Sequence, residues 1–287
     1  MNGPDLLSQR VGILKSRMGG VVPGSHATIR GVDLHLAFRD ARWMDAFIFS
    51  VTGRRFTSAE LTLVESIWTY TSYPDARIWN NRVAALAGSA RSTGNLALAA
   101  ALAVSEASVY GRGVDLRAIA FLETTLRAIS NGERLSDCVR TELDTHRSIA
   151  GYGRPIVSQD ERIGPILERA HALGLDKGPH LKLAFEVDKY LDEARWRLRI
   201  NYCAVASALL ADMGVTPAQF YLCAFPIFLA GMPPCYLEAA EEPEGTLFPI
   251  PCEDVAYAGC EKRTWPPSLA GAGLSTTVAK SDQALGG

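Results

Sequence analysis

The segment INYCAVASALLADMGVTPAQFY, residues 200–221, decides the fold class. Its small and apolar residues run on without the strict alternation of a half-buried strand. Gly214 stands where a helix would stop, and Thr216 precedes Pro217 as an N-cap precedes a proline in a first helical turn. The segment predicts a helix over Arg195–Met213 and a second from Pro217. Moving toward the N-terminus, Pro179 at an N1 position opens a helix to about Leu191. Amphipathic patterns follow over Asp160–Leu173, Arg134–Ile149 and Asp115–Ser130. Ile78–Ser108 is rich in Ala and Leu and apolar nearly all round, which places it in the middle of the molecule or in a subunit interface, with small residues that let another helix approach. Earlier still, FTSAELTLVESIWTYTS offers Thr57 or Ser58 as N-cap with Glu60 in the first turn, and Leu61, Val64 and Trp68 share one face. In RDARWMDAFIFSVTGRR, Trp43, Phe47 and Val51 recur every four residues before a stop at Gly53. A strand-like pattern is expected only near Thr246–Tyr257, and the small, polar stretch after Pro267 is predicted to be disordered. The fold class is all-α.

Composition narrows the function. The chain has 287 residues, and its 29 Lys+Arg against 31 Asp+Glu give a formal net charge of -2, without the basic surplus that phosphate recognition demands. Nucleic acid is therefore not an expected partner. The apolar run Leu96–Val104 has about half the length of a bilayer span, so no membrane association is expected either. The start MNGPDLLSQR carries no basic-then-apolar signal pattern. Cys138, Cys203, Cys223, Cys235, Cys252 and Cys260 form no CxxC pair and read as reduced thiols of a cytoplasmic protein. None of the 5 histidines makes a pair with metal-ligand spacing, so no metal site is expected.

Two glycine-rich punctuations, VYGRG (Val109–Gly113) and GYGRP (Gly151–Pro155), fall between helices. Gly111, Gly113, Gly151 and Gly153 would let backbone N–H groups approach a ligand, and Arg112, Arg154 and Arg162 add positive charge nearby. Two ordinary interhelical turns with solvated arginines are the plainer alternative.

The order of these motifs resembles citrate synthases and the related citryl-CoA lyases. IRGVDLHLAF followed by FSVTGRRFTSAEL resembles the entry segment, and RVAALAGSA (Arg82–Ala90) the helix after the first substrate histidine. VYGRG falls at the family's Leu-His-Gly-Gly loop, and GYGRPIVSQDER at Gly-Phe-Gly-His followed by Asp-Pro-Arg. Ile200–Tyr221 resembles the stretch from Asn-Val-Asp to Gly-Ile-Pro, and FLAGMPPCYLEA the next helix. The resemblance spans about residues 28 to 260. It implies a large domain built from residues 1–113 and 202–262, a smaller inserted domain at 114–201, a flexible tail at 263–287, and a homodimer. It further implies a Claisen-type condensation, or its reverse, between a coenzyme A thioester and a small anionic keto acid, with CoA as co-substrate and no resident cofactor.

The departures from the family pattern are specific. Tyr110 stands where the resemblance expects the enol-stabilising His, Arg154 at the ketone-polarising His, and Cys203 at the Asp base. Ser72 falls at the earlier substrate histidine and Phe228 at an arginine, while Arg162 matches a carboxylate-binding arginine. Asp75 is a nearby carboxylate able to replace a base. One expectation is a divergent enzyme in a specialised pathway, with Tyr110 donating to an oxyanion, Arg154 polarising a carbonyl, Cys203 as base or nucleophile with its pKa lowered by arginine, and Ser72, Asp75, Arg112 and Arg162 binding substrate. The other is a non-catalytic relative that binds a metabolite or a partner protein.

Overall fold

A computed structural model describes residues 3–9, 11–12, 16–153, 160–247 and 252–261 of the chain. Arg154 and the tail 263–287 lie outside the described residues. Met1–Phe248 forms one compact unit and Pro249–Gly287 a second. Within the first unit, α1 (Gly3–Ser8) precedes a small antiparallel meander of β1 (Gly19–Val22), β2 (His26–Ile29) and β3 (Val32–Asp33). Sequence periodicity does not reveal this meander, because no strand exceeds four residues. Arg30 and Gly31 join β2 to β3, both at positive φ, which is the two-residue turn whose twist suits a hairpin. Arg30 then pins the meander to the end of a helix by donating to the carbonyls of Ser50 and Val51.

Helices make up the rest: α2 (Leu34–Ala37), α3 (Trp43–Thr52), α4 (Ser58–Thr69), α5 (Trp79–Ser89), α6 (Gly94–Ser105), α7 (Arg112–Ser130), α8 (Leu135–His146), α9 (Ile163–Ala172), α10 (Pro179–Glu193), α11 (Tyr202–Asp212), α12 (Pro217–Cys223), α13 (Phe225–Ala230) and α14 (Met232–Glu241). Their ends follow the chemistry of their residues. Thr57 and Glu60 form a reciprocal capping box, as do Thr216 and Gln219, and Gly53 closes α3 in the left-handed conformation.

Two expected helices are shorter than their patterns. Ile78–Ser108 divides into α5 and α6, with Arg91 at positive φ and its guanidinium donating to the Gly88 and Glu242 carbonyls. The helix expected from Arg195 starts at Tyr202. Arg195 takes a positive φ, the Ile200 N–H donates to Asp188, and the Asn201 N–H donates to the Gly151 carbonyl, so tertiary hydrogen bonds hold this stretch out of the helix. The strand expected near Thr246–Tyr257 is absent among the described residues there, which carry a 3₁₀ turn at Cys252–Asp254.

The main core gathers side chains from α4, α7, α9, α10, α11 and α12, with α11 against both α7 and α10. A second, alanine-rich cluster forms where α5 meets α6 and α14. A Cβ on Gly88 would lie 2.4 Å from the Tyr236 carbonyl oxygen, so α5 and α14 approach as closely as a missing side chain allows. Pro217–Glu241, a longer apolar stretch than Leu96–Val104, has a mean hydropathy of 1.5 and is long and apolar enough to cross a membrane by length and composition alone. In the fold it is divided at Ala224 and Gly231, and its three helices pack against α3, α4, α5, α6 and α7. Leu122 on α7 is 0% exposed in the main core. Leu122→Ala is expected to cost about 2–5 kcal/mol through lost burial and the cavity left behind, read from the urea unfolding midpoint.

Candidate active site

The N-terminus of α11 is the meeting point. The Asn201 side chain accepts from the Cys203 N–H at 3.0 Å, and Asp160 accepts from the Tyr202 N–H at 2.9 Å. Asp160 is also clamped by Arg162, whose Nε and Nη2 donate to its two oxygens at 2.8 and 2.7 Å. The same guanidinium lies 4.6 Å from the centre of the Tyr202 ring. Arg162 therefore reaches the site already paired, and its interaction with Asp160 holds that carboxylate below its ordinary range despite burial.

The glycine loops also converge here, but they serve packing. Gly151 adopts φ 87°, and a Cβ on it would lie 2.7 Å from the Ala204 Cβ, so only glycine lets this turn rest on α11. Gly153 donates its N–H to the Arg199 carbonyl and accepts from the Asn201 side-chain amide. A Cβ on Gly111 would lie 2.4 Å from the Ser105 carbonyl oxygen, and the Gly113 N–H donates to Ala107. The expectation that glycine N–H groups reach a ligand is corrected at Gly113 and Gly153, whose N–H groups are taken by the chain itself, while a Cβ at Gly111 or Gly151 would meet the chain's own backbone and side chains.

Tyr110 heads the loop before α7, 59% exposed and with φ 127°, a conformation that favours glycine and strains a tyrosine. Arg112 turns the other way. It is 2% exposed, its Nε lies 3.3 Å from Glu106, and its guanidinium sits over Tyr221 at 4.2 Å, with Phe225 and Phe228 at 5.5 and 5.8 Å. Its Nε and Nη1 have no hydrogen-bond partner. The Tyr221 hydroxyl donates to the same Glu106.

Cys203 donates its thiol proton to Asp115 Oδ1 at 3.2 Å. Burial and the adjacent carboxylate push this thiol well above its ordinary range, and the charge of Arg162 does not offset them. The expected activation of Cys203 by a lowered pKa is thus reversed, because its immediate neighbour is an acid. The residue missed in the sequence is Asp115, three positions beyond Arg112 on α7. Burial raises its carboxyl to about 6, against the pull of the Cys203 thiol and the Arg112 charge. Asp115 and Cys203 nonetheless both keep solvent-accessible surface.

The two remaining expected residues lie in the turn after α4. The Ser72 hydroxyl donates to the Trp68 carbonyl. Asp75 accepts from the Arg77 N–H, Nε and Nη2, and this pairing holds its carboxyl below the ordinary range. A carboxylate so engaged is a poor base, so Asp75 is not the replacement considered from sequence. A separate cavity of about 610 Å³ between α9 and α10, lined in part by His171, Lys177, Lys182 and Phe185, includes none of the expected site residues. Among the described residues no cluster of three or more His, Cys, Asp or Glu is placed to hold a metal ion.

Helix order, packing and the loops at α11 define the helical citrate synthase-like fold. The chain superposes on citryl-CoA lyase from Hydrogenobacter thermophilus with a TM-score of 0.77 and 21% identity, covering 90% of this chain and 99% of that one. A mutant ATP citrate lyase from Methanosaeta concilii in complex with (3S)-citryl-CoA matches with a TM-score of 0.71 at 15% identity, over 91% of this chain and 45% of that one. Citrate synthase from Thermoplasma acidophilum, in its complex with carboxymethyl coenzyme A and oxaloacetate, matches with 0.63 at 16% identity, over 80% of this chain and 60% of that one. No protein-family model and no curated protein sequence matches the chain.

Two outcomes follow from the Asp115–Cys203 pair. Iodoacetamide at pH 7.5 is expected to label Cys203 far more slowly than the exposed Cys260, read by peptide mass spectrometry, because its thiol holds its proton. Asp115 has a folded-state pKa above the ordinary carboxyl value of 3.8, so between that value and about 6 the folded state binds more protons than the unfolded one, and ionisation costs stability as pH rises. Asp115→Asn is expected to raise the melting temperature relative to wild type at pH 7.5, with the gain vanishing at pH 4.

Proposed function

We propose that this protein makes or breaks a C–C bond between an acyl thioester of coenzyme A and a carbonyl- or carboxylate-bearing small molecule, in a specialised cytoplasmic pathway. The observation that carries this reading is the fold match over 99% of the citryl-CoA lyase chain, with a half-buried polar pair where α7 meets α11. CoA is a co-substrate here, and no resident cofactor is needed. Tyr110, held exposed at a backbone conformation that costs about 1–3 kcal/mol, supplies a phenolic proton to the oxygen that gains charge. Arg154 is assigned to the carbonyl or carboxylate of the second substrate, and Arg112 and Arg162 bind substrate in competition with their resident carboxylates, Glu106 and Asp160. The residues 114–201 act as the smaller domain beside the substrates.

We further propose that the working unit is a homodimer formed through α6. This helix buries only Ala97, Ala101 and Ser105, leaving Leu96 65% exposed and Val104 exposed in an otherwise apolar stretch. One observation favours a binding protein without turnover: Arg162 is already closed onto Asp160.

Incubation with (3S)-citryl-CoA, and with acyl-CoA and keto-acid pairs for the reverse direction, is expected to produce turnover detected by thioester absorbance. Tyr110→Phe is expected to lower kcat by about 10²–10³-fold, as for loss of one oxyanion donor. CoA-dependent thermal stabilisation without any turnover decides for the binding reading. Leu96→Glu combined with Val104→Lys is expected to convert the dimer to a monomer in light scattering.

A further inference from the structure

We propose that Asp115 is the proton acceptor of this site and that Cys203 is its positioning residue, the thiol holding the carboxylate by donating to Oδ1 at 3.2 Å. The inference rests on the C–C bond reading above and names the group that moves the proton. Four groups come into question as a base, three at the α11 terminus and Asp75 in the turn after α4. Asp160 is 7% exposed and shared between Arg162 and the Tyr202 N–H. Asp75 is consumed by Arg77, and the Cys203 thiol retains its proton beside a carboxylate. Of the three carboxylates, Asp115 alone meets no arginine in a hydrogen bond or close ion pair, and it keeps accessible surface on a first helical turn that follows the exposed Tyr110.

The environment keeps this carboxyl near the working range of a general base. On α7 itself, Arg112 acts on it through space while tied to Glu106 and Tyr221 of neighbouring segments. From α11 the Cys203 thiol faces it, and that thiol is in turn influenced by Arg162 and Ser207. From α10, Asp188 is spent on Arg199 and the Ile200 N–H, and from α8 Glu142 is spent on Arg117. Burial prevails over these influences, and the carboxyl rises to about 6.

In the condensation direction, Asp115 takes a proton from the thioester α-carbon, and the C–H electron pair becomes the enolate. The enolate carbon attacks the second substrate's carbonyl carbon, the new C–C bond forms, and the carbonyl π pair moves to oxygen, which takes the proton of the Tyr110 hydroxyl, itself reprotonated from solvent. In the cleavage direction the hydroxyl proton passes by way of the Tyr110 oxygen to solvent, the carbonyl re-forms as the C–C bond breaks and its electron pair becomes the enolate, and protonated Asp115 returns a proton to the α-carbon.

The test follows deuterium entry into acetyl-, propionyl- and butyryl-CoA in D₂O, alongside (3S)-citryl-CoA cleavage and calorimetric CoA binding, for wild type, Asp115→Asn, Asp115→Glu and Cys203→Ala. Wild type is expected to exchange, and Asp115→Asn to lose about 10²–10⁴-fold while still binding CoA, with partial recovery in Asp115→Glu. Wild-type exchange is expected to follow one ionisation near 6, and Cys203→Ala, which deletes a donor to the carboxylate, to move that limb to higher pH. Exchange by Asp115→Asn within threefold of wild type overturns the assignment, as does a wild type that binds CoA and never exchanges. If Asp115→Asn fails to melt cooperatively, the pH profile decides, and a flat profile from pH 5 to 8 overturns the assignment. A wild type that neither binds CoA nor exchanges overturns the C–C bond reading, and the role of Asp115 with it.

Discussion

The structure depends on burying α11. Nine of its eleven residues are buried, most of them alanine, valine or leucine, so neighbouring helices can come close on several sides. A buried helix still has unpaired N–H groups at its start, and they must find partners within the protein. Asp160 and Asn201 supply them. Each of these partners brings a loop with it: Asp160 carries Arg162, and Asn201 reaches the Gly153 carbonyl. The glycine at 151 follows from the same requirement, since its turn rests directly against Ala204. Capping a buried helix thus gathers the segments that make the site.

The first turn of α11 also sets the chemistry beside it. Residues Ala204 to Ala211 are sealed, whereas Cys203 faces α7 and keeps some solvent contact. A carboxyl placed there has lost much of its hydration without gaining a close cation, and it holds its proton more tightly than an exposed aspartate. That arrangement works against stability at neutral pH. Strained Tyr110 a few residues earlier adds a second local cost in the same loop. Two locally unfavourable features thus fall in one short segment, Tyr110 to Asp115.

Helix positions were legible in the sequence where the ends carry their own chemistry. Thr57 with Glu60, Thr216 before Pro217, Pro179 and Gly53 all mark real boundaries. Boundaries set by distant partners were not legible. The stretch before Tyr202 has helical composition and is held extended by Asp188 and Gly151, and nothing local announces either contact. The site divides in the same way. The convergence of the two glycine loops could be read from motif order, but whether the glycines face a ligand or a helix could not. Asp115 became visible only with its partner Cys203, 88 residues away. Cys203 itself looked like a displaced base until the acid beside it was known.

Charge at the site follows the balance of the whole chain. A net charge of -2 from 60 ionised side chains leaves little surplus of either sign, and locally each expected arginine within the described residues arrives with a carboxylate. Arg162 has Asp160 and Arg112 has Glu106. An anion brought to either position would meet no bare guanidinium and would have to compete with, or displace, a resident carboxylate. The two pairs differ in how hard that is. Asp160 is bound by two arginine nitrogens and the Tyr202 N–H, and its release would uncap α11. Arg112 has one ion-pair contact, from its Nε to a half-exposed Glu106, and neither its Nε nor its Nη1 makes a hydrogen bond. Its guanidinium also packs against Phe228, the position where the resemblance expects an arginine, so the positive charge there comes from α7 and not from α13. Of the two cations, Arg112 is the one whose partner can be exchanged without dismantling the helix on which the fold is built.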